Sequence, residues 1–474
     1  MTNAVLGSAL PRAGQTPPAA AARRASGHVS PREANWWFAC VGALLGVPMY
    51  WYALVPLFGL VAAVGLLSPF VRGFESRPVL KLSLLFIALA VVSTPLALTF
   101  APLMARADVG VFDTPLSRVL ASNLKVAYCA TFMLVGAGLA ARPAALQSLL
   151  SGFQWTTLVF CLIWFKLFYD NDLLFSVDIA DARVVGREAM AALFGRRFSY
   201  MWPSTYALWL NVALGHTFYV LLRQAPRARL MVRVYQCICL VVFLVALLFT
   251  GTRAAWLMLL ITIAYMSLTH PRYRRVLIYA MVILVGAALV LPQVREILTV
   301  AAETRMTSGA GDFAFGRELS TRADFWPIVI DHVMESPIIG HGGLGVGFFF
   351  GDDIGNSHNE MLSIVFRYGI LGFALYLYAF YRALLANREL RRRNDSTLEY
   401  LAPLMVSSWF FGSFHESTHD SVFGALYFMF SGYMIGRAGL PKVLALAPVS
   451  GRTSASAAGA AKPLRAGAVT LGGG

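Results

Sequence analysis

Apolar runs long enough to cross a hydrocarbon core of about 30 Å recur along nearly the whole chain, each bounded by Gly, Pro or charged residues. They predict about twelve transmembrane segments, near 35–50, 52–70, 80–103, 121–140, 148–169, 201–222, 231–250, 253–269, 276–293, 359–381, 399–415 and 420–438. In lipid every backbone polar group needs a partner within the protein, and the alternating pattern of a barrel strand is absent from these runs, so the spans are expected to be helices. The expected fold class is all-α, a polytopic membrane bundle.

Composition agrees with this reading. Of 474 residues, 58% are hydrophobic and 13% charged, too apolar for a water-soluble core and surface. The net charge of +15 is unevenly placed. With the N-terminus inside, alternate connections carry Arg72, Arg77 and Lys81; Arg142; Arg223, Arg227, Arg229 and Arg233; Arg272, Arg274 and Arg275; and Arg382, Arg388, Arg391, Arg392 and Arg393. Basic charge therefore reads as topology and lipid contact, with no nucleic-acid partner. Residues 1–34 and 447–474, rich in Ala, Gly, Pro and Ser, are expected to be disordered cytoplasmic arms around a bundle at 35–446. The first span is expected to be an uncleaved insertion signal.

The same parity sends two long connections, 170–200 and 294–358, to the outer side, where chemistry is expected. The five cysteines, Cys40, Cys129, Cys161, Cys237 and Cys239, fall inside apolar spans and read as small packing residues without a disulfide framework or metal-ligand spacing. Within the larger loop, "STRADFWPIVIDHVME" at 320–335 predicts a helix capped by Ser320 and starting or kinking at Pro327, lying on the membrane surface or over the bundle. The glycine-rich "SPIIGHGGLGVGFFFGDDIGNSHNE" that follows lacks the ending of a nucleotide-binding P-loop.

Three stretches carry candidate chemistry. In "GNSHNEMLSIVFRYGILG", 355–372, Ser357 and Glu360 form a capping box for the tenth span, with Asn359 beside them. His358 then falls in the first turn, where the helix dipole favours neutral imidazole able to accept a proton; the alternative is a histidine bonded to loop backbone. In "TGTRAAWL", 250–257, Thr252 can cap the eighth span. That leaves Arg253 where both the dipole and the positive-inside bias oppose a cation, so it either meets an anion or snorkels to the headgroups. In "FGRRFSYMWPSTYALW", 194–209, Arg196 and Arg197 end the other outer loop. The planar fork of arginine suits phosphate oxygens, and a lipid diphosphate competes here with ordinary phospholipid headgroups. Arg317 and Arg322 add positive charge in the large loop, where Glu318, Asp324 and Asp331 offer local ion pairs.

An arginine opening a span after a short turn, the "SPIIGHGGLG" loop, and the run His358, Asn359, Leu362, Gly369 and Gly372 together resemble the O-antigen ligase and O-antigen polymerase superfamily of bacterial envelope enzymes. The resemblance covers roughly 190–435, with the first half agreeing only in its pattern of spans.

The resemblance implies a glycosyltransferase of the inner membrane with its active site facing the periplasm, working without metal, nucleotide or other cofactor. Its donor would be an O-antigen glycan on undecaprenyl diphosphate and its acceptor lipid A-core oligosaccharide. Arg253, Arg196 or Arg197, and Arg322 would hold the diphosphate, and His358 would take the proton of the attacking hydroxyl, with inversion at the anomeric carbon. Ser357, Asn359 and Glu360 would support that histidine. The absence of a large outer domain after the last spans favours ligase over polymerase. "FHESTHDS" near 414–421, with His415 and His419, reads as an interfacial turn. A transporter or flippase is the reading from another class, with Lys125, Lys166 and His216 as scattered intramembrane candidates.

Overall fold

The computed structural model describes residues 31–47, 77–100, 115–170, 203–224, 230–250, 252–269, 274, 326–346, 359–395, 398–413 and 421–440. Its regular elements are helices, with no strand among the described residues. In chain order they are α1 (Pro31–Leu45), α2 (Arg77–Phe100), α3 (Pro115–Leu139), α4 (Pro143–Asp170), α5 (Pro203–Tyr219, continued by a π turn Val220–Gln224), α6 (Leu230–Phe249), α7 (Arg253–Thr269), α8 (326–335), α9 (Glu360–Arg392), α10 (Leu401–Gly412) and α11 (Ser421–Gly439). Four helical segments, Arg77–Thr99, Pro143–Leu167, Leu230–Leu247 and Glu360–Arg392, are long and apolar enough to cross a membrane, and Trp36–Leu45, Tyr206–Leu222, Ala254–Thr269 and Leu401–Gly412 are shorter apolar helices. The expected spans at 52–70 and 276–293, both terminal arms and most of the two outer loops lie outside the described residues.

Helix pairs pack through small residues, as expected where lipid supplies no hydrophobic drive between helices. Gly42 of α1 and Gly46 just after it lie against the backbone of Leu149 and Phe153 in α4, and Gly152 returns the contact at Ala39. Gly136 of α3 lies against the Met429 backbone of α11, while Gly432 and Gly436 of α11 lie against Met133 and Ala137 of α3. An aromatic cluster joins α2, α9 and α11, with Phe86 5.0 Å from Tyr376 and 4.9 Å from Phe428, both edge to face.

Several buried polar groups are paired across helices. Gln154 donates to Thr217 Oγ1 at 2.6 Å and to Gln236 Oε1 at 2.7 Å. His216, one of the scattered transport candidates, sits with Nδ1 2.9 Å from the Tyr400 hydroxyl and Nε2 3.3 Å from Ser151 Oγ. Lys166 pairs with Asp170 on its own helix, and Lys125 lies on α3. These three therefore occupy different helices. All five cysteines are free; Cys129, Cys161 and Cys239 are buried as packing residues, whereas Cys40 and Cys237 are exposed on the outside of their helices, a correction to their reading as core.

The ninth helix exceeds its expected limit of residue 381 because Ala383, Ala386 and Leu390 continue a buried face. Beyond it, Asp395 and Arg437 form an ion pair of 2.8 Å with both side chains 4% exposed, and Arg437 also donates to the Ala140 carbonyl at 2.9 Å. This ties the α9–α10 connection to α11 and to the α3–α4 turn.

The tight α3–α11 contact predicts a sharp asymmetry between glycines. A Cβ at Gly432 would overlap the Met133 backbone, whereas at Gly439 it meets nothing within 4 Å. Gly432→Val is expected to destabilise the protein by roughly 1–3 kcal/mol and Gly439→Ala by much less, read as thermal unfolding in detergent.

Candidate functional site at two helix mouths

Helix α9 is broken. Gly369 has φ 64° and ψ −170°, a conformation in the region that favours glycine, so the chain stops being helical there and resumes at once. The break frees backbone groups inside an otherwise apolar helix, and the segment 336–346 supplies their partners. His341 N donates to the Phe366 carbonyl at 2.9 Å and Gly343 N to the Arg367 carbonyl at 2.8 Å; in return Ile370 N donates to Pro337 O at 2.9 Å and Leu371 N to Ile338 O at 3.2 Å. We refer to 336–346 as the strap.

Only small residues allow this approach. A Cβ on Gly369 would meet the Ile338 carbonyl, and one on Gly342 would meet the backbone of Ala97 in α2. The far side of the strap is held by α3, where Ser122 Oγ donates to the Gly343 carbonyl and Asn123 Nδ2 to the Gly342 carbonyl at 2.9 Å, with Thr94 Oγ1 of α2 3.2 Å from the same amide. Arg367 completes the junction by donating from Nε to Ser363 Oγ at 3.0 Å and from Nη1 to the Gly343 carbonyl at 3.4 Å. Its positive charge thus lies among hydroxyl and carbonyl dipoles between the strap and α3.

The start of α9 is capped by Asn359, whose backbone is extended and whose Oδ1 accepts from Leu362 N at 3.1 Å. This corrects the expectation that Ser357 caps the helix. Asn359 stands two residues later and is itself a strong capping residue, so Glu360 becomes the first helical residue instead of the return partner of a capping box. Ser357 and His358 lie outside the described residues, and in sequence His358 immediately precedes the cap rather than entering the first turn. Glu360 is 2% exposed.

The eighth expected span, α7, begins at Arg253, as the sequence suggests. Thr252 precedes it at the capping position, but its hydroxyl bonds to the Thr250 carbonyl at 3.2 Å, and both threonines are buried. The Arg253 side chain lies outside the described residues, as do Arg196, Arg197 and Arg322. Asn211 of α5 donates to the Ala255 carbonyl at 3.2 Å, linking the first turn of α7 to the helix that follows Arg196 and Arg197.

Helices α7 and α9 run in the same direction. Tyr265 and Thr269 near the end of α7 share a cavity of about 440 Å³ with Asn387, Leu390 and Arg391 near the end of α9. The start of α7 at Arg253 and the break in α9 consequently lie toward the other end of the bundle.

Residues 238–377 match a family model described as O-Antigen ligase. Over that segment the chain is similar to the O-antigen ligase family. The segment runs from within α6 to just past the break in α9 and contains Arg253, Arg322, the strap, His358, Asn359 and Glu360, while Arg196 and Arg197 fall outside it. Comparison with curated proteins finds no match. The ligase segment is narrower than the resemblance over 190–435, and it retains both helix mouths.

Two groups of the ligase segment were missed in the sequence. The first is Arg367 with its partners on α3, where the polar pair Ser122–Asn123 inside an apolar run is the visible signal. The second is His341, fully buried, with Nδ1 3.1 Å from the Phe366 carbonyl, its ring stacked on Phe366 at 4.4 Å, and Nε2 3.8 Å from Glu335, which also meets His332 at 2.9 Å.

Burial outweighs the Phe366 carbonyl and the Glu335 carboxylate and holds the His341 imidazole below its ordinary range. The unfolded chain therefore binds this proton more tightly than the folded one. The stability His341 contributes is present above its unfolded value of about 6.5 and is lost as the pH falls from there through the lowered folded value. The melting temperature of the wild type is expected to decline between about pH 7 and pH 5, with a shallower decline in His341→Gln, which has no proton to gain.

Proposed function

We propose that the protein is an O-antigen ligase that transfers a glycan from undecaprenyl diphosphate to a sugar hydroxyl of lipid A-core at the periplasmic face of the inner membrane. The observation that carries this reading is that the matched ligase segment includes both helix mouths, one opening with Arg253 and the other immediately following His358. An O-antigen polymerase, which would use the growing lipid-linked glycan as acceptor, shares the same chemistry; the short connection at 414–420 supports the ligase.

In this reading Arg253, helped by Arg196 or Arg197 and by Arg322, stabilises the negative charge that grows on the leaving diphosphate. Guanidinium groups then do the work for which many transferases use a divalent metal. His358 removes the proton from the acceptor hydroxyl as that oxygen attacks the anomeric carbon and the bond to the diphosphate oxygen breaks, which inverts the configuration. Asn359 fixes where the helix starts, and the strap fixes the other end of the intervening segment at Val346, which is 1% exposed.

Purified protein mixed with lipid-linked glycan and lipid A-core in excess chelator, without nucleotide, is expected to yield glycan-capped lipid A. Loss of that activity with recovery on adding magnesium or manganese would contradict the metal-free mechanism, and glycan elongation without capping would favour the polymerase.

Arg253→Ala is expected to leave the donor unconsumed and to slow transfer about a hundredfold or more, a loss of about 2–4 kcal/mol in the transition state, with partial recovery in Arg253→Lys. Near-normal transfer would confine Arg253 to headgroup binding. His358→Ala is expected to lower transfer by about a hundredfold or more while donor affinity stays near the wild-type value, since the arginines hold the diphosphate. An active His358→Asn enzyme would remove His358 from the mechanism.

A further inference from the structure

The ten-residue helix α8 has three distinct faces. Val329 and Val333 are buried against Val346 and Phe366, which fastens the helix to the strap and to α9 just before its break. At 100° per residue, Trp326, Ile330, Met334 and Pro327 follow on one side of that buried face. Of these, Ile330 and Met334 are 47% and 67% exposed. Asp331, Glu335 and His332 occupy the opposite side, where His332 and Glu335 pair at 2.9 Å; Ile328 is the apolar residue among them.

Four residues after Met334 the strap carries Ile338 and Ile339, exposed at 60% and 45%, and these adjoin Ile370 and Leu371 of α9, exposed at 60% and 58%, through the backbone bonds from Ile370 to Pro337 and from Leu371 to Ile338. Ile370 and Leu371 belong to a helix long and apolar enough to cross the bilayer, so their outward side chains meet acyl chains. The strap bonded to them follows directly on α8, which brings the exposed Ile330 and Met334 toward the same solvent.

We propose that α8 is seated in the lipid–water interface, with Ile330 and Met334 entering the acyl region of the leaflet around the break in α9, and with Asp331 and Glu335 facing water. The partner is phospholipid. The two faces together make α8 a float: its lipid side fixes its depth, and its valines pass that depth to the strap. If the glycan-transfer reading holds, the segment that carries His358 is thereby held near headgroup level, where the diphosphate of a lipid-linked donor lies. The seat itself depends only on the exposed side chains and their connection to α9 through the strap.

The test places a photoreactive diazirine amino acid singly at 330, 334, 331 or 335 of the full chain, illuminates native membranes, and identifies adducts by mass spectrometry. Phospholipid adducts at 330 and 334 are expected to exceed those at 331 and 335 by about tenfold. Equal lipid labelling at all four positions, or adducts at 334 dominated by protein, whether a second copy or another membrane protein, would overturn the proposal. Because no step of this experiment needs glycan transfer, it succeeds or fails separately from the ligase reading.

Discussion

The break at Gly369 sets the terms for the rest of the site. Two carbonyls and two amides that a continuous helix would satisfy internally are instead bonded to the strap at 2.8–3.2 Å. Each such group left without a partner in apolar surroundings costs about 1–3 kcal/mol, so the break and the strap exist together or not at all. That requirement explains the glycines at 340 and 369, where strap and break backbones approach with no Cβ between, while Gly342 clears the Ala97 backbone of α2 and Gly343 the Asn123 side chain. It also explains why α3 contributes Ser122 and Asn123 within an apolar run: they donate to the strap carbonyls of Gly343 and Gly342.

Helix mouths concentrate unsatisfied donors and positive dipole ends, which favour anionic groups over cations. Arg253 adds formal charge to one mouth and Asn359 defines the other. In the proposed chemistry the developing charge lies on a diphosphate, and an arginine opening a helix is held by backbone geometry more firmly than one on a loop.

Much of this was legible in the sequence, and the failures have physical causes. Apolar runs located α2, α4, α6 and the core of α9 because crossing a membrane imposes length and composition together. Residues 326–335 of the helix expected at 320–335 are helical, and the arginine after "TGT" fell on the first residue of α7. The cap of α9 was assigned two residues early, since Ser357 and Asn359 are both good caps and only the local backbone chooses between them. The helix break was invisible for a different reason: Gly369 sits in an apolar run that reads as one span, and its departure from helix depends on partners in the strap more than twenty residues earlier. The buried His341 and the Arg367 junction likewise depend on long-range contacts that no local pattern encodes.

Hydrogen exchange of the backbone amides of His341, Gly343, Ile370 and Leu371 tests most directly whether strap and break form one rigid unit. In wild-type protein these four amides are expected to exchange as slowly as amides in the interior of α9, and in Gly369→Ala, where the added carbon meets the Ile338 carbonyl, all four are expected to become fast together. Fast exchange at the four amides in the wild type, with the rest of α9 protected, would contradict the account.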